Sequence, residues 1–197
     1  VGLNLASSLS RKISSVRSLL TLEEHALLRK YVARADYVRG LQPTLVKDLG
    51  AASSDGYFVM LKLSLAFSAI ELLAGVANRK NNMGIKFPEF NKSLASGDFE
   101  NLLKAFDRVS TSKFKNHPEN HHLNKYSKIS SSQDLTKFVS LCRNCMFHGA
   151  FTPNESGLAQ AKKRRLLIGE LAERTLDAGD SALLLFIEKT KQRSRLS

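Results

Sequence analysis

From residue 57 to about residue 78 apolar side chains fall on nearly every face of the chain, which predicts a helix at the centre of a bundle. One thin polar line crosses it through Ser64, Ser68, Glu71 and Asn78. Elsewhere the apolar positions recur at helical spacing along a single face. Leu22, Ala26, Leu27, Tyr31, Ala35 and Val38 do so after a helix-start signal at Thr21 and Glu24, and the pattern runs to Gly40. Leu135, Phe138, Val139, Cys142, Cys145 and Met146 do so after a capping signal at Ser131 and Asp134, with Gly149 able to close the helix. Leu167, Leu171, Thr175, Ala178, Ala182, Leu185 and Phe186 keep one face across Gly179. That predicts one long helix from about residue 158 or 161 to about 191, with a weak point at Gly179; two helices broken at 178–180 are the alternative.

Between these stripes the chain carries breaks and shorter pieces. Pro43 ends the second segment, a short helical piece follows to Leu49, and residues 50–56 read as a flexible link. Two short helices are expected at 87–95 and 98–109, the second capped by Asp98 with Phe99, Leu102, Leu103 and Phe106 inward. Residues 111–130 are polar and read as a long surface loop, and 151–157 as a turn. The expected fold is therefore all-α, an antiparallel up-and-down bundle with short extra helices between its second and third core helices. Residues 1–21 form a basic amphipathic arm, 22–191 one helical domain, and 192–197 a basic tail. The arm holds Leu5, Leu9, Ile13, Val16 and Leu20 at helical spacing and no acid. Packing against the domain is the default expectation for it; lying on nucleic acid, or being the remnant of a targeting peptide, are the alternatives.

Composition narrows the partners. With 197 residues and 43% hydrophobic content the chain can bury a substantial core as one domain. Its net charge of +12 exceeds what solubility needs, so a polyanion is the expected partner, RNA first and DNA or an anionic membrane after it. The longest apolar stretch, residues 58–76, is interrupted by Lys62 and Glu71, and no membrane span is expected. The two cysteines, Cys142 and Cys145, lie on the apolar stripe in the body of a helix, where the dipole opposes a thiolate, so they read as core and not as a redox or zinc pair. Without a disulfide framework a reducing, cytoplasmic setting is favoured. His117, His121 and His122 lack an acid or cysteine placed to complete a zinc site, and no metal or other cofactor is expected. There is no internal repeat, no Gly-rich phosphate loop and no Ser/His/Asp order.

The chemistry concentrates in residues 141–150. At about 100° per residue, Arg143 falls on the flank of the apolar stripe, while Asn144 and His148 point away from it. A permanently charged guanidinium and an imidazole that titrates near neutrality suit phosphodiester chemistry. Phe147 would be exposed beside them in a monomer, and a second copy of the helix is the simplest cover, which makes the motif half of a shared site. Arg143, Asn144, His148 and the following Gly149 resemble the R-x4-6-H signature of the HEPN superfamily.

That resemblance covers residues 22–191 by helix pattern and about seven residues by identity. It implies an up-and-down helical bundle that dimerises and, in many members, a metal-independent endoribonuclease with its site at the dimer interface. Other members are non-catalytic RNA-binding or protein-interaction modules. It further implies roles in toxin–antitoxin pairs, phage defence or RNA processing, where a toxin needs an antitoxin or other regulatory protein. On this reading His148 acts as base or acid, Arg143 holds the phosphate through its fork, and Asn144 orients His148. Glu71 is a candidate second-shell carboxylate for Arg143 or His148; a solvated acid, or one paired with a lysine, is the rival reading. The run Lys162, Lys163, Arg164 and Arg165 is the candidate grip on the RNA backbone.

Overall fold

The computed structural model describes residues 2–44, 50–77, 139, 143 and 162–195. Four α-helices account for nearly all of them: α1 (Gly2–Ser14), α2 (Leu22–Gly40), α3 (Ala51–Ala77) and α4 (Lys162–Ser194), with a 3-10 turn at Arg17–Leu19 between the first two. Among the described residues there is no strand, so the chain is all-α. The expected short helices at 87–95 and 98–109, the histidine-bearing loop and both cysteines lie outside the described residues. The chain divides into two compact units. Unit 1 comprises Val1–Leu41, Leu65–Pro88 and Glu173–Ser197; unit 2 comprises Gln42–Ser64 and Glu89–Ala172.

Unit 1 begins with the basic arm, which packs on α2 as the default expectation had it. Leu9, Ile13, Val16 and Leu20 are buried, so the apolar stripe of α1 is used inside the protein and its cations are left outside. The chain then turns into α2 through a complete capping box. The Thr21 hydroxyl accepts from the Glu24 backbone N–H at 3.1 Å, and the Thr21 N–H donates to Glu24 Oε2 at 2.9 Å. Because the cap uses its carboxylate, Glu24 can be only 3% exposed without leaving a bare charge in the core. Leu28, Tyr31, Val32, Ala35 and Val38 continue the buried face of α2. The second half of α3 adds Ala66, Phe67, Ile70 and Leu73 to the core of this unit, and the second half of α4 adds Leu176, Leu183 and Phe186. Each fully buried large side chain contributes roughly 1.5–3 kcal/mol.

Unit 2 has a smaller described core, with Met60 and Leu63 from α3, Ile168 and Leu171 from α4, and Val139. Here the structure corrects the expectation of a flexible link at residues 50–56. Helix α3 already starts at Ala51, with the N–H groups of Ser53 and Ser54 both donating to the Gly50 carbonyl at 3.0 Å. Ser54 and Gly56 are buried, so packing outweighs the poor helix propensity of Gly and Ser.

The apolar character of α3 is pronounced: its segment Ser53–Leu73 is long and apolar enough to cross a bilayer by length and composition alone, with a mean hydropathy of 1.6. Half of that window is buried within the protein, as for a core helix, while Tyr57 and Leu61 are exposed. Helix α4, by contrast, is single and continuous through Gly179, as the preferred reading of its stripe held.

Candidate functional site

Of the motif stretch, Val139 and Arg143 are described, and both are helical. Val139 is fully buried and Arg143, one turn later, is half-buried. Val139 therefore lies in the core and Arg143 at its rim, which is the position the apolar stripe assigns to a guanidinium. Asn144 and His148 lie outside the described residues. Glu71 is exposed on the part of α3 that belongs to unit 1, so it carries no burial cost of the kind expected for a carboxylate in so apolar a helix.

The basic run Lys162, Lys163, Arg164 and Arg165 forms the first turn of α4, and no acid accompanies it there. This is where a helix least favours cations. A helix N-terminus behaves as about half a positive charge, and a cation in a first turn opposes it by roughly 0.3–1 kcal/mol. Arg165 is partly compensated: its Nε lies 3.9 Å from Asp55 Oδ2, and its side chain is only 15% exposed. Both residues belong to unit 2. Four basic residues in succession concentrate positive charge at this end of α4.

A buried polar cluster in unit 1 was not anticipated. The Tyr31 hydroxyl reaches Asp180 Oδ1 at 2.7 Å and the Leu176 carbonyl at 3.1 Å, while Arg39 Nη2 donates to Asp180 Oδ2 at 2.8 Å and to Asp177 Oδ1 at 3.1 Å. Tyr31 is completely buried, and burial together with the Asp180 carboxylate pushes its phenol far above the usual range. Burial also pushes the Asp180 carboxyl up, against the opposing pull of the Tyr31 hydroxyl and the Arg39 guanidinium. Arg39 is held charged: burial works against its cation, but Asp180 and Asp177 more than offset that.

Gly179 lets the phenol in, because a Cβ at that position would collide with the Tyr31 hydroxyl and ring. With Tyr31 and Asp180 buried and Asp177 at its exposed edge, the cluster joins α2 to α4. Gly179, which reads in sequence as a weak point of α4, is the notch that receives Tyr31. The only hint in the sequence is a tyrosine on an apolar stripe and a glycine beside an aspartate on another.

Two further features frame the site. His25 on α2 is held towards its neutral form by partial burial and then by the positive charges of Arg17 and Arg29. Among the described residues no group of His, Cys, Asp and Glu side chains is placed to hold a metal ion. Comparison with protein-family models, with curated proteins and with solved structures gave no match.

Proposed function

We propose that the chain is a HEPN-like helical domain that dimerises and cleaves RNA without a metal, with Arg143, Asn144 and His148 of both copies at the shared site. The observation that carries this reading is the position of Arg143, helical and half-buried one turn beyond the fully buried Val139. A guanidinium at the rim of a core is rigidly placed yet able to meet a phosphate, which a fully solvated arginine is not. The basic first turn of α4 supports the same reading, since its placement opposes helix stability and suits a polyanion.

In the reaction, one imidazole accepts the proton of the 2′-hydroxyl as the 2′-oxygen attacks phosphorus. The other protonates the departing 5′-oxygen, giving a 2′,3′-cyclic phosphate and a 5′-hydroxyl. Arg143 stabilises the charge that builds on the non-bridging oxygens, and Asn144 orients His148. Glu71 belongs to this proposal only as a positioning residue. Lys162, Lys163, Arg164 and Arg165 hold the backbone.

The test is cleavage of a labelled RNA by the purified dimer, with and without EDTA. Cleavage that resists EDTA and vanishes in His148→Ala, with helical content and dimer intact, is the expected result. A variant that still cleaves removes the mechanism. Binding to RNA with no products from the parent chain assigns it to the non-catalytic RNA-binding members instead.

A further inference from the structure

Helix α1 and the end of α4 enclose a cleft of about 260 Å³ within unit 1, lined by Lys12, Leu184, Ile187, Glu188, Lys191 and Arg195 together with Gln192. The α4 residues fall at three- and four-residue spacing, so they form one face of that helix. Along it the lining passes from apolar to basic: Ile187 is buried, while Lys191 and Arg195 follow one and two turns later. Lys12 adds a cation from α1. No carboxylate among the described residues lies within ion-pair distance of these three cations.

The simplest structural explanation is that Lys12 and Lys191 complement the negative ends of their helices, since both stand in last turns. It falls short in magnitude. Two helix ends supply about one negative charge between them. The cleft itself is lined by three cations, Lys12, Lys191 and Arg195, against the single acid Glu188. About one positive charge is left over at the cleft.

We propose that this cleft is a second phosphate-binding site, which takes the phosphodiester backbone of single-stranded RNA. It rests on the RNA reading above and adds to it a grip in the other compact unit. The cleft is smaller than the roughly 300–1,000 Å³ that encloses a small-molecule ligand, and it is open, so it suits a strand that passes through it. Lys191 and Arg195 stand about 6 Å apart along the helix axis, which lets them serve successive backbone groups. A lipid surface is the less favoured partner, because the apolar stripe of the arm that would enter a membrane is already buried at Leu9, Ile13, Val16 and Leu20, with Leu5 its exposed member.

The experiment measures binding of a labelled oligouridylate to the full chain carrying His148→Ala, across a series of salt concentrations. Neutralising Lys12, Lys191 and Arg195 together with Gln is expected to weaken binding on the order of tenfold at low salt and to reduce the salt slope by about 2, about 0.7 for each lost phosphate contact. Glu188→Gln, which leaves every cation in place, is expected to tighten binding and guards against misfolding of the triple variant. Arg29→Gln with Lys30→Gln, exposed on α2, is expected to leave the slope unchanged.

An unchanged slope in the triple variant overturns the proposal, and so does an equal fall in the α2 control. Loss of binding to phosphatidylserine vesicles with RNA binding intact reassigns the cleft to a membrane. An RNA slope that responds as expected, in a parent chain that cleaves nothing, leaves the cleft standing and sinks the nuclease; cleavage without a slope change does the reverse.

Discussion

Helix α4 handles charge in opposite ways along its length. In its middle, Asp177 and Asp180 are matched to Arg39, and both oxygens of the buried Asp180 carboxylate accept hydrogen bonds, at 2.7 and 2.8 Å. In its first turn four cations crowd a helix end that repels them, with Asp55 at 3.9 Å from one of them. The first arrangement is what stability requires, since a buried charge without a partner is costly. The second adds like charge to a helix N-terminus, which by itself lowers helix stability. The difference separates charges that are matched inside the fold from charges that the sequence concentrates at one end of a helix.

The sharpest way to break that distinction is to remove Arg39. Arg39→Met keeps the apolar stem and leaves the Asp180 carboxylate buried without its cation, for which about 3 kcal/mol of destabilisation is expected, towards the lower end of the range for such pairs because Arg39 is not fully enclosed. Urea unfolding of the parent and the variant measures it. A loss below about 0.5 kcal/mol would mean that the cluster is decoration.

The same variant makes a pH prediction. Burial raises the folded pKa of Asp180 above its ordinary value of 3.8, so the folded state holds that proton more tightly than the unfolded state does. Its contribution to stability is therefore fully present below about 3.8 and is lost as pH rises through the folded value. Without Arg39 the carboxyl is raised further, so the deficit of Arg39→Met should be largest near neutral pH and should shrink towards acid. A deficit that instead grows on acidification shows that Asp180 is not the group left exposed to the loss.

Gly179→Ala comes next in size. The new methyl meets the Tyr31 hydroxyl and ring, and overpacking of this kind costs about 1–3 kcal/mol. Ala also gains up to about 1 kcal/mol of helix propensity over Gly, so the net loss expected is about 1–2 kcal/mol. Pairing the substitution with Tyr31→Phe, which removes the hydroxyl that the methyl strikes first, should give a total well below the sum of the two single losses. Additive losses would mean that the glycine is there for some reason other than the tyrosine.

These positions also show which parts of the fold could be foreseen. Thr21 and Glu24 are three residues apart, and a capping box is written in such local spacing; Thr21→Ala should cost about 1 kcal/mol in thermal unfolding. The continuity of α4 and the burial of the α1 stripe were legible for the same reason, because periodicity is local. The pairing of Tyr31 with Asp180 was not, since 149 residues separate them and nothing near either one names the other. Residues 50–56 misled because Gly and Ser propensities are local, whereas the burial of Ser54 and Gly56 that overrides them is tertiary. Of the candidate site, the helical setting and half-burial of Arg143 followed from the stripe that contains Val139, while a site shared with a second copy is not specified by one chain's pattern.

The smallest stability effect carries the most functional information. Replacing Lys162 and Lys163 with Glu reverses the unfavourable charge at the first turn of α4 and should stabilise the protein by a few tenths to about 1 kcal/mol for each residue. The same change removes two phosphate-seeking cations and adds two repulsive charges, so RNA affinity should fall and the salt slope should drop by about 1.4 or more. A protein that becomes more stable while binding RNA more weakly has kept those lysines for the polyanion. If stability instead falls and RNA binding does not change, the run serves the fold through contacts of its own, and the contrast between the two parts of α4 disappears.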